Sequence, residues 1–94
     1  MAPPRTILLG ADGFIGRHLA YGLRDLGHTV VCVARNPAAL GAMGFETIAA
    51  DFTAPHAQTT EFWQKHLSTA DHLVNCAGLL VNYCQIAELS TLVR

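Results

Sequence analysis

The sequence has few charged residues and no excess of either sign. Charged side chains make up 14% of the 94 residues, with six Lys and Arg against seven Asp and Glu, which gives a formal net charge of −1. A protein that attracts nucleic acid or an anionic membrane through its overall field needs a strongly basic surface. We therefore expect no nucleic-acid partner, and any site for an anion has to be built locally.

Long apolar runs are also missing. No stretch reaches the roughly 18 apolar residues that a membrane span needs, and residues 1–5 are not followed by a secretory apolar segment. We therefore expect no membrane partner and a cytoplasmic location.

Clustered metal ligands are lacking as well. Cys32, Cys76 and Cys84 do not pair with one another or with a histidine at zinc-ligand spacing, and the five histidines are dispersed along the chain. The sequence therefore predicts no metal site, and the cysteines are interpreted as ordinary thiols of a reducing compartment.

What is present is a regular alternation of short apolar runs and amphipathic segments. Hydrophobic residues make up 51% of the chain, which suits one compact domain over residues 1–94. Strands are predicted over 6–11, within 28–35, and over 45–50 and 71–77, and helices over 14–26, 38–40 and 57–69. This alternation indicates an α/β fold with a parallel sheet and right-handed crossovers, for which a doubly wound sheet has the strand order 3-2-1-4.

Three glycines lie where the first predicted strand leads into its helix. Gly10, Gly13 and Gly16 follow the spacing Gly-x-x-Gly-x-x-Gly, at a point where a diphosphate meets backbone N–H groups and the positive end of a helix dipole. Gly10 would allow a tight turn, Gly13 a close approach of backbone to phosphate, and Gly16 close packing of the helix against the sheet. The pattern predicts a phosphate-binding loop.

The run Ile-Leu-Leu-Gly-Ala-Asp-Gly-Phe-Ile-Gly-Arg-His-Leu over residues 7–19 resembles the opening of the extended and atypical short-chain dehydrogenase/reductase superfamily. It is most similar to the NAD(P)-dependent epimerase/dehydratase group and its relatives that act as reductases or as non-catalytic cofactor binders. The resemblance covers roughly residues 5–80. It implies a three-layer Rossmann-type domain, here only the nucleotide-binding half and so truncated relative to the full fold.

The resemblance also implies which residues contact the dinucleotide. They come from the phosphate loop and from the ends of strands three and four: Gly10, Asp12, Gly13, Phe14, Ile15, Gly16, Asp51, Phe52, Asn75, Ala77 and Gly78. Asp51 would accept from the adenine amino group with the Phe52 backbone near the ring, unless Asp51 only closes the strand with an Asx turn. Residues 75–78 look like the family's Asn-x-Ala-Gly segment beside the cofactor ribose, although Gly78 could also be a simple strand-ending glycine.

Asp12 departs from the family pattern, which more often has Ser or Thr there. A carboxylate beside a diphosphate is unfavourable unless it turns away. Asp12 would then cap the helix instead.

The end of strand two predicts the form of the cofactor. In the family, the side chain at this position contacts the adenosine ribose. An acidic side chain suits a free 2′-hydroxyl, and a basic side chain suits a 2′-phosphate. Here it holds Arg35, and no acid occurs at residues 34–36. An arginine can bind phosphate through charge-assisted, bidentate hydrogen bonds. We therefore expect NADP, with NAD less favoured, and Arg17 would add a second positive charge.

The family's proton-transfer pair, a Tyr followed four positions later by Lys, is absent. Tyr21 is followed by Asp25 and Tyr83 by Ala87, and Lys65 is the sole lysine. No catalytic residue is assigned. The chain is interpreted as the N-terminal part of an NADP-dependent oxidoreductase or epimerase, or alternatively as a non-catalytic nucleotide-binding or assembly module, or as an inactive truncated gene product.

The tail predicts how the chain associates. Apolar residues recur over 79–94 in a pattern compatible with a final helix in its second half. Without strands five and six, strand four would be a sheet edge with unpaired backbone groups. We therefore expect a homodimer or a partner chain at the strand-four edge or at the C-terminal tail.

Overall fold

The computed structural model describes residues 3–77 and 85–88 and has the predicted alternation of strands and helices. The strands are β1 (Arg5–Leu9), β2 (Thr29–Ala34), β3 (Glu46–Ala49), β4 (His72–Asn75) and β5 (Gln85–Glu88). The helices are α1 (Phe14–Asp25), α2 (Ala38–Ala42) and α3 (Thr60–Leu67). A 3-10 helix, Pro55–Gln58, precedes α3, so the single helix predicted over 57–69 is in fact two elements.

The sheet confirms the predicted α/β fold and strand order. Its order is β3-β2-β1-β4-β5, and the first four strands are parallel. Each of β1, β2 and β3 is connected to the next strand in the chain by a helical crossover, as parallel strands require.

β5 was not predicted and corrects two expectations. It pairs antiparallel with β4, so β4 lies between β1 and β5 and is not the edge through which a partner was expected. The paired backbone groups of β4 are therefore satisfied within the chain. Residues 85–88 are a strand, not the start of a final helix, and residues 89–94 lie outside the described part.

The sheet separates two apolar clusters, because successive side chains of a strand point to opposite faces. Leu8 and Cys32 belong to the cluster beneath α1 and α2, while Ile7, Val31 and Val33 belong to the cluster beneath α3. All five are at most 1% exposed, as expected of central parallel strands that are buried on both faces.

Local sequence determines where α1 ends. Gly27 directly follows the C-cap residue of α1 and has φ +93°. This is the left-handed conformation predicted for it. His28 then leads into β2. No helix in the described part of the chain is long and apolar enough to cross a membrane.

Candidate dinucleotide-binding site

A cavity of about 340 Å³ opens where the parallel strands end. It is lined by the last residue of β2 and by residues that follow β1, β2, β3 and β4: Gly10, Asp12, Gly13, Ala34, Arg35, Ala50, Asp51, Phe52, Thr53, Cys76 and Ala77. Ligands of open α/β sheets bind in this position, outside the carboxyl ends of the strands. Seven of the predicted site residues therefore lie around one cavity, although they are spread over 68 positions of the sequence from Gly10 to Ala77.

Gly10 forms the turn that begins the phosphate loop. Its φ is +72°, and its N–H donates to the Val33 carbonyl at 3.0 Å. A Cβ placed on Gly10 would lie 2.7 Å from the Ala77 nitrogen and 2.8 Å from the Cys76 carbonyl carbon. Both the positive φ and this close approach to the end of β4 require glycine.

Gly16 also contacts backbone. A Cβ at Gly16 would clash with the Gly10 carbonyl oxygen and lie 3.0 Å from the Ala11 Cα. The sequence interpretation had Gly16 packing against the sheet, and the structure corrects the partner: it is the phosphate loop itself. Gly16 thus allows the first turn of α1 to lie directly on the loop.

Gly13 is different, because nothing within the chain requires it to be glycine. It is the N-cap of α1 with φ −75° and ψ 171°, an extended conformation that any residue adopts. The nearest atom to a Cβ there is the Gly10 carbonyl oxygen at 3.5 Å, an ordinary contact. The missing side chain leaves space on the cavity side of the loop.

The N-terminus of α1 has no side-chain cap and no acidic residue in its first turn. The capping role considered for Asp12 is therefore wrong, and its exposed side chain lines the cavity. The amides of Phe14, Ile15 and Gly16 have no acceptor among the residues that the structure describes. None of these three predicted site residues lines the cavity. Their N–H groups and the positive end of the helix dipole lie at the start of α1, directly after Gly13, which does line it.

The turn after β3 is closed by the Asp51 side chain. Its Oδ1 accepts from the Thr53 N–H at 2.9 Å and from the Thr53 hydroxyl at 2.7 Å, which is the Asx turn considered as the alternative reading. Thr53 lines the cavity but was not predicted, although the spacing Asp-x-Thr is a signal for this turn. The turn presents Asp51 and Phe52 to the cavity.

The end of β4 has a similar turn. Asn75 Oδ1 accepts from the Ala77 N–H at 2.9 Å, so Asn75 shapes the backbone that faces Gly10 and does not itself line the cavity. Gly78, also predicted for the site, lies outside the described residues. Cys76 lines the cavity and is disulfide-bonded, which corrects its interpretation as an ordinary thiol.

The charges at the cavity are few and separated. Asp12 and Asp51 are the acids of the described lining, and Arg35 is its cation. Arg35 is exposed and forms no hydrogen bond or ion pair with any residue of 3–77 or 85–88. Its guanidinium is therefore available to an anion at the β2 end of the cavity. The described residues contain no group of three or more metal-ligating side chains.

Comparison with protein families agrees with this geometry. A model described as the NAD dependent epimerase/dehydratase family matches residues 6–86, which includes all of the strands above except the first residue of β1 and the last two of β5. A search of curated proteins found no match. The chain belongs to the NAD dependent epimerase/dehydratase family, and it has the NAD(P)-binding, oxidoreductase-like domain of that family.

Proposed function

We propose that this member of the NAD dependent epimerase/dehydratase family binds NADP(H) in preference to NAD(H), with Arg35 holding the 2′-phosphate. The observation that carries the proposal is the exposed, unpaired Arg35 in the cavity lining, directly after β2. A guanidinium with no partner in the described chain loses no existing ion pair when it binds a phosphate. A carboxylate at this position would instead repel a 2′-phosphate.

The phosphate loop fits the diphosphate of such a cofactor. The three free amides at the start of α1 supply donors, and Gly13 leaves the loop without a side chain between them and the cavity. Backbone amides and the helix dipole stabilise an anion without bringing a new side-chain charge. The exposed Asp12 carboxylate opposes this attraction, and salt should screen its effect.

The remaining assignments follow the strand ends. Asp51 and Phe52 would lie near the adenine ring, and Asn75 and Ala77 near a ribose. A bound nicotinamide would supply hydride chemistry. The sequence contains no Tyr-x-x-x-Lys pair, so the proposal is one of cofactor binding, and it assigns no residue to proton transfer.

The test is titration of the purified chain with NADPH and NADH, followed by ligand fluorescence, for the wild type and for Arg35→Ala. A lost charge-assisted hydrogen bond costs about 1.5–3 kcal/mol, so the variant should bind NADPH about 10- to 150-fold more weakly. NADH has no 2′-phosphate, and its affinity should change by less than about 2-fold.

Lys65→Ala is the matched control, because Lys65 is an exposed cation on α3 that does not line the cavity. It should leave both affinities unchanged. Equal losses for NADPH and NADH in Arg35→Ala would contradict 2′-phosphate recognition. Failure of the wild type to bind either dinucleotide would refute the proposed function as a whole.

A further inference from the structure

We propose that Trp63 is a positioning residue for base recognition: it holds the Phe52 ring as a preformed wall on which the adenine of the cofactor stacks. The inference rests on the proposed function, because it assigns the base-binding end of the same cavity. Trp63 does not line that cavity, so its effect on a ligand has to pass through Phe52.

The two rings are stacked. Their centroids are 5.8 Å apart and their planes are inclined by 24°, within the range of favourable aromatic pairs. Phe52 is 36% exposed and lines the cavity, whereas Trp63 is partly buried in the apolar cluster beneath α3. The arrangement places an aromatic side chain at the cavity and a second ring behind it.

The indole is itself held in place. Its Nε1–H donates to the Ala57 carbonyl at 2.7 Å, within the 3-10 helix. The Phe62 ring packs against it edge to face, with centroids 5.0 Å apart and planes at 86°. Because the polar atom and a neighbouring ring both fix the indole, it is a firm support for Phe52.

The backbone of the same turn is tied to the 3-10 helix. Gln58 Nε2 lies 3.3 Å from the carbonyl oxygens of both Phe52 and Thr53 and donates to them. Thr59 then caps α3 by accepting from the Phe62 N–H at 3.2 Å. The segment from Asp51 to α3 is therefore ordered by its own contacts, without any from a ligand.

This order has a consequence for affinity. An exposed phenylalanine that was free to rotate would lose that freedom when a base stacked on it, which would weaken binding. Here Trp63 has already restricted the ring. Stacking of a base on an aromatic side chain, measured by removing the ring, changes affinity by about 5- to 150-fold. Trp63 should account for a part of this factor without touching the base.

The test uses adenosine 2′,5′-bisphosphate, which has the base and the phosphates but no nicotinamide, and its 1,N6-etheno analogue as a fluorescent probe of stacking. Affinity is measured by calorimetry for the wild type, Trp63→Phe and Trp63→Leu. We expect Trp63→Leu to weaken binding about 10-fold and to relieve quenching of the bound etheno base. Trp63→Phe, which keeps a ring behind Phe52, should stay within about 3-fold of the wild type and remain quenched.

Tyr21→Leu is the matched control, because Tyr21 is also a partly buried aromatic residue, packs against the apolar cluster on the other face of the sheet and does not line the cavity. It should lower thermal stability while leaving affinity and quenching unchanged. Gln58→Ala is a second variant, for use if Trp63→Leu does not fold, because Gln58 is exposed and its substitution should not prevent folding. It removes the hydrogen bonds to the carbonyls of the turn and should weaken binding about 3-fold.

The outcomes separate the two proposals. If the wild type binds neither NADPH nor the bisphosphate, the proposed function fails and this inference fails with it. If the wild type binds and a folded Trp63→Leu variant has the same affinity and quenching, the inference alone is overturned. If Trp63→Leu does not fold, unchanged binding by Gln58→Ala overturns it. A loss in Tyr21→Leu as large as that in Trp63→Leu would also overturn it, since the effect would then be general destabilisation.

Discussion

The contrast between two glycines of α1 gives the sharpest test of the loop geometry. Gly16 and Gly22 are in the same helix, and alanine is intrinsically more favourable than glycine there by about 0.8–1.0 kcal/mol. At Gly22 the added Cβ has nothing within 4 Å. At Gly16 it would clash with the Gly10 carbonyl oxygen and lie 3.0 Å from both the Gly10 carbonyl carbon and the Ala11 Cα.

The two substitutions should therefore have opposite signs. Gly22→Ala should raise the free energy of unfolding by up to about 1 kcal/mol. Gly16→Ala gains the same propensity, but the three nearest atoms are backbone and cannot rotate away. We therefore expect a cost in the upper part, about 2–3 kcal/mol, of the range of about 1–3 kcal/mol that overpacking typically has. We expect a net loss of about 1–2 kcal/mol, so the two variants should differ by about 2–3 kcal/mol.

The assay is thermal and urea unfolding of both variants beside the wild type. For a domain of 60–100 residues, 1 kcal/mol corresponds to a shift in Tm of about 4–8 °C, so the two midpoints should be separated by roughly 10 °C or more. Gly16→Ala should also lose NADPH affinity, since the start of α1 has to move away from the loop. A Gly16→Ala protein as stable as Gly22→Ala would refute the close packing of α1 on the phosphate loop.

Three further predictions concern other parts of the fold. Gly10→Ala should cost about 2 kcal/mol or more in unfolding free energy, because φ is +72° and the Cβ would approach the Ala77 nitrogen to 2.7 Å. The Arg5 hydrogen bond at 2.6 Å lowers the pKa of Glu46, so this stabilisation is present above about pH 4.5 and is lost as the pH falls through the depressed folded value. In Glu46→Gln, the free energy of unfolding should therefore fall less at acidic pH than it does in the wild type. The difference should be less than about 1 kcal/mol, because the ion pair is partly exposed. Burial raises the pKa of the Cys32 thiol to about 11, so it should resist a maleimide at pH 8 in the native protein and react only after unfolding, as mass spectrometry would detect.

Much of the architecture could be predicted because its signals are local. Strands β1 and β2 are apolar runs buried on both faces, and three glycines at fixed spacing span the loop after β1 and the first turn of α1. Once alternation of strands and helices was recognised, handedness and strand order followed from general rules. The same rules brought Arg35, Asp51 and Ala77 to one end of the sheet.

The contacts that depend on distant partners could not be predicted. Gly16 lies against the Gly10 carbonyl because the phosphate loop turns sharply. The spacing of the glycines in the sequence does not determine how sharply the loop turns. β5 was not predicted, because it has only four residues. A pattern of apolar residues this short does not distinguish the two-residue period of a strand from the 3.6-residue period of a helix. The pairing of Phe52 with Trp63 joins a turn to a helix eleven residues later, and no local pattern connects them.

The geometry of Gly10 also links the binding site to the assembly of the sheet. The Gly10 turn is held on one side by the Val33 carbonyl of β2 and packs on the other against Cys76 and Ala77 after β4. Its conformation therefore depends on both neighbours of β1.

A ligand that binds only the folded state stabilises that state by mass action, by about 2.7 kcal/mol at a ligand concentration of 100 times Kd. Because the lining includes residues after four strands, that stabilisation should reach the sheet from β3 to β4. In hydrogen exchange with NADPH, slower exchange of the amides of both β2 and β4 is therefore expected, whereas protection confined to the phosphate loop would mean that the loop binds independently of the sheet.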